Sequence, residues 1–279
     1  MSACCPICPH ACTIEEGKLG SCGARRARGG QVVADNYGKL TALALDPIEK
    51  KPLARFHPGA MILSAGSYGC NLSCPFCQNS DISRMRGDKL PPRIKEYSPQ
   101  DLVDCACAVQ GRGNIGIAYT YNEPLVGYEY VLDTAKLAHE AGLLNVIVSN
   151  GYINEAVFAE LVCFLDAANI DLKAFCQKTY DQMGAPQGFE TVKRSIELAA
   201  RSIHVEVTTL IVPGLNDNAD EIDELAAWLA DINATIPLHL TRFHPAYRML
   251  DVPKTPRSTI LSLVDTAKKH LTYVYAGNM

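Results

Sequence analysis

The sequence predicts an α/β fold, a partial (βα)6 barrel with a small cysteine-rich element before it. Three observations support this prediction. The 279 residues are 48% apolar, which is enough for one large domain with a buried core. From Met61 onward, short apolar runs rich in β-branched residues alternate with longer amphipathic stretches, as βα units require. Before that point, residues 1–36 carry closely spaced cysteines among Gly, Arg and Pro.

The predicted elements follow a regular strand–helix alternation. Strands are expected at 60–65, 115–119, 144–149, 168–173, 203–211 and 236–242, with 271–276 as a candidate seventh. Helices are expected at 99–111, 125–141, 153–165, 187–201 and 217–232. Right-handed crossovers in this number build a TIM-like barrel that stays open compared with the closed eight-stranded form. We divide the chain into a metal-binding element, 1–36, and a core domain, 37–279, with its chemistry at the carboxyl ends of the strands.

Charge and hydropathy exclude two classes of partner. The net charge is −4 and there is no long run of Lys or Arg, so a nucleic-acid partner is not expected. No apolar run approaches the roughly 18 to 20 residues that span a bilayer, and residues 1–12 do not resemble a signal peptide. We therefore expect no membrane partner and a cytoplasmic location. A reducing cytosol keeps thiols free, so the clustered cysteines indicate metal sites rather than disulfides.

The central cysteine group follows directly on the first barrel strand. Cys70, Cys74 and Cys77 are spaced C-x3-C-x2-C, and three soft ligands so close together suit an iron–sulfur cluster. A [4Fe–4S] cube takes four ligands, so three cysteines leave one iron free to bind another molecule. A zinc knuckle with a distant fourth ligand, or simple buried thiols, are the alternatives.

This spacing, with Phe76 before its last cysteine, resembles the signature of radical S-adenosylmethionine (SAM) enzymes. Segments 46–52, 56–59, 121–124 and 170–173 extend the resemblance to the radical SAM enzyme of the AmmeMemoRadiSam system, a branch similar to pyruvate formate-lyase activating enzyme. The resemblance implies a [4Fe–4S] cluster on the three cysteines and SAM on its open iron. It also implies a one-electron reductant such as flavodoxin or ferredoxin, and a protein substrate.

The resemblance further implies SAM-binding or substrate-facing residues at later strand ends, namely Phe76, Asn122, Glu123, Ser149, Asn150, Asp171, Lys173 and His244. Glu123 would meet the ammonium group of SAM, although the glycine pair that usually precedes this Glu is absent, and a solvated loop carboxylate is the alternative. Ser149 and Asn150 would meet the ribose, or form an ordinary turn and helix cap. Lys173 would meet the SAM carboxylate, or form a structural ion pair with Asp171.

A second cysteine group lies in the N-terminal element. Cys5, Cys8, Cys12 and Cys22 are spaced C-x2-C-x3-C-x9-C, which suits one four-coordinate centre, and Cys4 and His10 are spare candidates. Zinc and a second iron–sulfur cluster both fit. We favour zinc, because metal binding supplies folding energy to a segment too short to gain it from burial. Free surface thiols are the alternative.

The predicted activity is reductive cleavage of SAM to a 5′-deoxyadenosyl radical that abstracts a hydrogen atom. By resemblance, that atom belongs to a backbone glycine of a partner enzyme, as in glycyl-radical enzyme activation. Radical modification of a small molecule or peptide is one alternative, and a non-catalytic metal-binding adaptor is another.

Overall fold

The N-terminal part of the chain consists of short antiparallel ribbons. A computed structural model describes residues 2–92 and 94–279. Strand β1 (Ser2–Cys4) pairs with β2 (Thr13–Glu15), and β3 (Arg25–Arg28) pairs with β4 (Gln31–Ala34). The two-residue strand β5 (Lys39–Leu40) pairs with β8 (Lys95–Glu96), which comes much later in the chain.

An eight-stranded sheet forms the main body. Its strands are β6 (Ala42–Pro47), β7 (Met61–Gly66), β9 (Asn114–Tyr119), β10 (Leu144–Ser149), β11 (Ala167–Asp171), β12 (His204–Ile211), β13 (Leu238–Arg242) and β14 (Val274–Gly277). They lie in chain order across the sheet, and all neighbours are parallel except β6 and β7. Strands β6 and β14 form its two edges, so the barrel is open between them.

Six helices connect successive parallel strands, as the βα pattern predicts. They are α2 (Pro99–Ala108), α3 (Tyr128–Glu140), α4 (Glu155–Val162), α6 (Gly188–Ala200), α7 (Ala219–Asn233) and α8 (Arg257–Ala267), while the short helices α1 (Ser80–Ser83) and α5 (Gln177–Gln182) lie in loops. Ser98 begins α2 with a capping box to Asp101, and the Asn218 side chain caps α7. Three 3₁₀ turns occupy Ile48–Lys50, Gln110–Arg112 and Pro124–Gly127.

The structure confirms the predicted fold class and adds elements that the sequence analysis did not predict. Strand β6 and helices α5 and α8 are absent from the predicted set. Helix α8 carries several Ser, Thr and Val residues of modest helix propensity, yet it forms because its apolar positions, such as Ile260 and Val264, pack into the core. The fourth barrel strand ends at Asp171, so Lys173 lies in the loop that follows it and not in the strand.

The N-terminal ribbons share the hydrophobic core of the barrel. Ile7, Ile14 and Ala27 are each less than 5% exposed and belong to the same buried cluster as the barrel strands and helices. Asn154, just before α4, hydrogen-bonds through its backbone and side chain to the carbonyls of Ile7 and Pro6. Within the described ranges, no helix has the length and apolar character that crossing a bilayer requires.

Gly116 tests the tight packing of the central strands. A Cβ added at this position in β9 would lie 1.9 Å from the carbonyl oxygen of Leu144 in β10, so the two strands would have to separate. We expect Gly116→Ala to lower the free energy of unfolding by about 1–3 kcal/mol, the usual cost of overpacking. Gly111→Ala is the control, because no atom lies within 4 Å of a Cβ there. Equal urea midpoints for the two variants would contradict the strand pairing described.

Candidate functional site

A cavity of about 360 Å³ opens at the carboxyl ends of the parallel strands. It brings together side chains from the loops after β7, β9, β10 and β11, as a parallel barrel requires. The residues predicted for the central cluster and for SAM all line it except His244; the lining includes Cys70, Cys74, Phe76, Cys77, Asn122, Glu123, Ser149, Asn150, Asp171 and Lys173.

The first half of the loop that carries the three cysteines is held by a side chain and by the N-terminal element. The guanidinium of Arg84 donates to the carbonyls of Leu72 and Cys70, the latter at 3.2 Å, and to Ser73 Oγ at 3.0 Å. At Gly69 the backbone has a φ of +88°, and a Cβ there would lie 2.7 Å from the carbonyl oxygen of Cys22. Only glycine allows this close approach, so the cysteine loop packs directly on the N-terminal element.

The three cysteines are partly buried, and their sulfur atoms lie beside polar and sulfur neighbours. The Leu72 amide donates to Cys70 Sγ at 3.4 Å, and Cys77 Sγ lies 3.1 Å from Ser83 Oγ. Burial raises the pKa of Cys74 to about 11, and burial together with the charge of Glu123 raises the pKa of Cys70 further. Thiolates at these positions therefore need a cationic centre beside them. Three such sulfurs on one cavity wall are a donor set that suits an iron–sulfur cluster with one open iron.

Glu123 connects the ends of β9 and β10. It is 3% exposed and accepts hydrogen bonds from Ser149 Oγ at 2.8 Å, the Asn150 amide at 2.8 Å and the Leu125 amide at 3.0 Å. Burial raises the pKa of Glu123 to about 7, although these hydrogen bonds oppose the shift. Both carboxylate oxygens are engaged within the protein, so the residue positions the two loops beneath the cavity.

Two asparagines fasten the cysteine loop to its neighbours. Asn122 donates to the carbonyl of Gly69 at 3.1 Å and accepts from the Ser67 amide at 2.9 Å. Asn150 Nδ2 lies 3.7 Å from Cys70 Sγ and donates to Asn71 Oδ1 at 2.9 Å. Amide hydrogens aimed at a ligand sulfur are one of the means by which proteins adjust the potential of an iron–sulfur cluster.

Asp171 and Lys173 supply both signs of charge to the cavity. Lys173 Nζ lies 3.0 Å from Asp171 Oδ2, and their side chains are 16% and 34% exposed respectively. Burial opposes a charged ammonium, but the charges of Asp171 and Cys74 raise the pKa of Lys173 above its usual range. The Lys173 ammonium therefore stays charged, and the two side chains can meet the carboxylate and ammonium groups of an amino acid.

His244 lies outside the cavity. Its side chain is exposed, and Nε2 lies 3.3 Å from the carbonyl oxygen of Asn278. The residue follows β13 as expected, but it is not among the residues that line the cavity. Its role toward a substrate stays a prediction.

The sequence analysis assigned no role to a polar group at the rim of the cavity. Lys51 Nζ lies 2.9 Å from Asp46 Oδ2, and the Tyr121 hydroxyl donates to the same carboxylate at 2.6 Å. The Lys51 ammonium also sits over the Tyr121 ring, 4.6 Å from its centroid. The sequence feature that could have indicated this group is the charged segment 46–52, where two lysines lie between two prolines after an apolar run.

The N-terminal cysteines lie outside this cavity but close to its floor. Cys5 and Cys8 are buried, and Cys12 and Cys22 are partly buried. The amide of Cys70 donates to the carbonyl of Cys22 at 3.3 Å, so the two cysteine groups are in direct contact. Across residues 2–92 and 94–279, no three His, Cys, Asp or Glu side chains are placed to hold a single metal ion.

Comparison with known proteins gives a family. A sequence model described as the radical SAM superfamily matches residues 65–229. An uncharacterized protein of Methanocaldococcus jannaschii is 41% identical over 279 residues, covering 99% of this chain and 81% of that protein.

Two further relatives extend the comparison. The pyruvate formate-lyase-activating enzyme of Clostridium pasteurianum is 25% identical over 181 residues, covering 63% of this chain and 72% of that protein. The crystal structure of QueE from Escherichia coli superposes with a TM-score of 0.55 at 13% identity, covering 88% of this chain and 95% of that one. The latter likeness shows the fold alone.

The raised pKa of Glu123 predicts how stability changes with pH in protein stripped of metal by a chelator. Between pH 4.5, the ordinary value, and about 7, the folded state binds a proton that the unfolded state has released. The free energy of unfolding should therefore fall as the pH rises through this window, by roughly 3 kcal/mol at most. Urea unfolding at several pH values measures the slope.

Glu123→Gln should remove this slope, because the amide does not titrate. Glu140→Gln is the matched control, since Glu140 is exposed at the end of α3 and its replacement should leave the slope intact. An unchanged slope in the Glu123→Gln variant would mean that another group causes the dependence.

Proposed function

Because the chain belongs to the radical SAM superfamily, we propose that it is an enzyme that cleaves SAM reductively at a [4Fe–4S] cluster held by Cys70, Cys74 and Cys77. The observation that carries the proposal is the meeting of these three thiols with the Asp171–Lys173 pair in one cavity. When bound, the cluster and SAM together supply the 5′-deoxyadenosyl radical, and the protein supplies binding, orientation and exclusion of other hydrogen donors.

The protein groups around the cavity divide the work of holding SAM. Lys173 lies near Cys74 and offers its ammonium to the SAM carboxylate, and Asp171 offers its carboxylate to the SAM ammonium. Ser149 and Asn150 lie at the end of β10, where their polar atoms can meet the ribose. Phe76 is 4% exposed and gives the cysteine loop an apolar wall. Glu123 acts through Ser149 and Asn150 as a positioning residue.

The substrate that we propose is a protein segment with a backbone glycine. The edge strands β6 and β14 leave a lateral opening, and the same rim residues Lys50, Lys51 and Thr241 line both this opening and the cavity. An opening at the side of a sheet admits an extended chain more readily than a sealed pocket does. The Clostridium pasteurianum relative, by its name, activates another enzyme. A flavodoxin or ferredoxin would supply the electron.

Replacement of one cluster cysteine tests the chemistry. Protein reconstituted anaerobically with iron and sulfide should form 5′-deoxyadenosine from SAM when dithionite is added, measured by chromatography. Cys74→Ala should reduce that yield to background, because two thiolates do not retain the cluster. Cys163→Ala is the matched control, since Cys163 is an exposed thiol on the far end of α4 and should leave the yield unchanged. Full yield from the Cys74→Ala variant would defeat the proposal.

Isotope transfer tests the substrate class. Candidate partner proteins labelled with deuterated glycine should pass deuterium into 5′-deoxyadenosine, detected by mass spectrometry, and acquire a glycyl-radical EPR signal. The control is the same mixture with the Cys74→Ala variant, which should show neither. Deuterium transfer from labelled small molecules or short peptides, with none from intact proteins, would replace the proposed substrate by another class.

A further inference from the structure

The fold brings Cys5, Cys8, Cys12 and Cys22 close together within the N-terminal element. The amide of Cys5 donates to the carbonyl of Cys12 at 2.9 Å, and the Ala11 amide donates to the carbonyl of Cys8 at 3.0 Å, which closes a tight turn between them. Cys12 Sγ lies 3.3 Å from Ser21 Oγ, the residue before Cys22. Backbone pairing and this side-chain contact therefore bring the four cysteines into one part of the N-terminal element, next to the loop that carries Cys70.

A buried arginine, Arg25, lies beside this group of cysteines and has one N–H group without a well-formed hydrogen bond in the part of the chain that the structure describes. Arg25 is 2% exposed; its two Nη atoms donate to Glu129 at 2.6 and 2.8 Å and to the carbonyls of Val32 and Val126. Its Nε has no well-formed hydrogen bond among the described residues, and the Cys5 thiol lies close enough to interact with the guanidinium. A buried N–H without an acceptor is costly, so an acceptor is expected here. Sulfur atoms of a negatively charged metal centre would serve.

The structure removes the reason for favouring zinc at this site. That preference rested on the need for folding energy in a short segment. Ile7 and Ile14 are instead buried in the barrel core, and Asn154 ties residues 6 and 7 to the start of α4. The segment is already anchored by burial and hydrogen bonds, so a metal here is free to have a role other than structural.

The position of the group indicates that role. On one side, the N-terminal cysteine group contacts the cysteine loop through the hydrogen bond from the Cys70 amide to the Cys22 carbonyl. Asn71 adds a second connection, because its carbonyl accepts from His10 at 2.8 Å and its side chain accepts from Asn150. On the other side, the group reaches the surface at Ala11 and Ser21, which are exposed. A redox centre so placed lies between solvent and the catalytic cysteines.

We propose that Cys5, Cys8, Cys12 and Cys22 hold a second [4Fe–4S] cluster that relays electrons to the catalytic site. The centre accepts one electron from a reduced flavodoxin or ferredoxin and hands one electron to the cluster at Cys70, Cys74 and Cys77. It thereby returns to its oxidised state, and no bond is made or broken. The relay role rests on the proposed function, whereas the presence of the second cluster does not.

Metal analysis tests the second cluster. A variant with Cys70→Ala, Cys74→Ala and Cys77→Ala, reconstituted anaerobically, should keep about four iron and four sulfide per chain and give a reduced-cluster EPR signal. Adding Cys8→Ala and Cys22→Ala should remove both. Zinc without iron in the triple variant, or no metal at all, would overturn the proposal.

A second measurement of iron content tests the same cluster in case the triple variant does not fold. The unaltered chain should carry about eight iron, and Cys8→Ala with Cys22→Ala alone should lower this to about four. The control is Cys163→Ala, since Cys163 is an exposed thiol at the end of α4 and belongs to neither cysteine group; iron content should not change. About four iron in both the unaltered chain and the Cys8→Ala, Cys22→Ala variant would overturn the second cluster.

Reduction kinetics test the relay. In the Cys8→Ala, Cys22→Ala variant, reduced flavodoxin should lose most of its ability to reduce the catalytic cluster. Dithionite, a small reductant, should still reduce that cluster. EPR after rapid freezing measures both reductions. Reduction by flavodoxin at the unaltered rate would overturn the relay. Failure of this inference can be told from failure of the proposed function. A triple variant that holds a cluster supports the second site even if the unaltered enzyme does not cleave SAM.

Discussion

The arrangement of the whole cavity depends on the partial burial of three cysteines at the end of the first parallel strand. Burial raises the pKa of Cys70 and Cys74, so their thiolates are unfavourable unless a cationic centre lies beside them. A loop with this requirement cannot be left to move, because each sulfur must stay where the centre is. Arg84, Asn122 and Glu123 hold that loop and its neighbours from different sides.

The parallel order of the strands turns this local constraint into a site. Since β7, β9, β10 and β11 lie side by side and point the same way, the residues that follow them meet above one edge of the sheet. Glu123 ties two of these ends together, and Asp171 with Lys173 adds opposite charges at a third. The strand ends and loops that form this edge lie within the range that matches the radical SAM superfamily, residues 65–229.

The N-terminal element is part of this arrangement. Gly69 lets the cysteine loop approach Cys22 closely, and Arg25 links the element to α3 through Glu129. Breaking an ion pair that has one fully buried partner strongly destabilises a protein, so this link holds the N-terminal element against the barrel. The two cysteine groups are consequently neighbours in a shared core, a relation that the chain order from Cys22 to Cys70 does not reveal.

The sequence by itself determined the alternation of strands and helices and the identity of the central cysteine group. Both are local properties: periodicity sets the faces of each element, and C-x3-C-x2-C places three sulfurs on one loop whatever surrounds it. The tertiary structure alone decided that Arg84 holds this loop, that Lys51 pairs with Asp46 and Tyr121, and that His244 lies outside the cavity. The contacts of Arg84 and Lys51 join residues of common types that are distant in the chain. Only the packing of the whole barrel determines which of these residues meet.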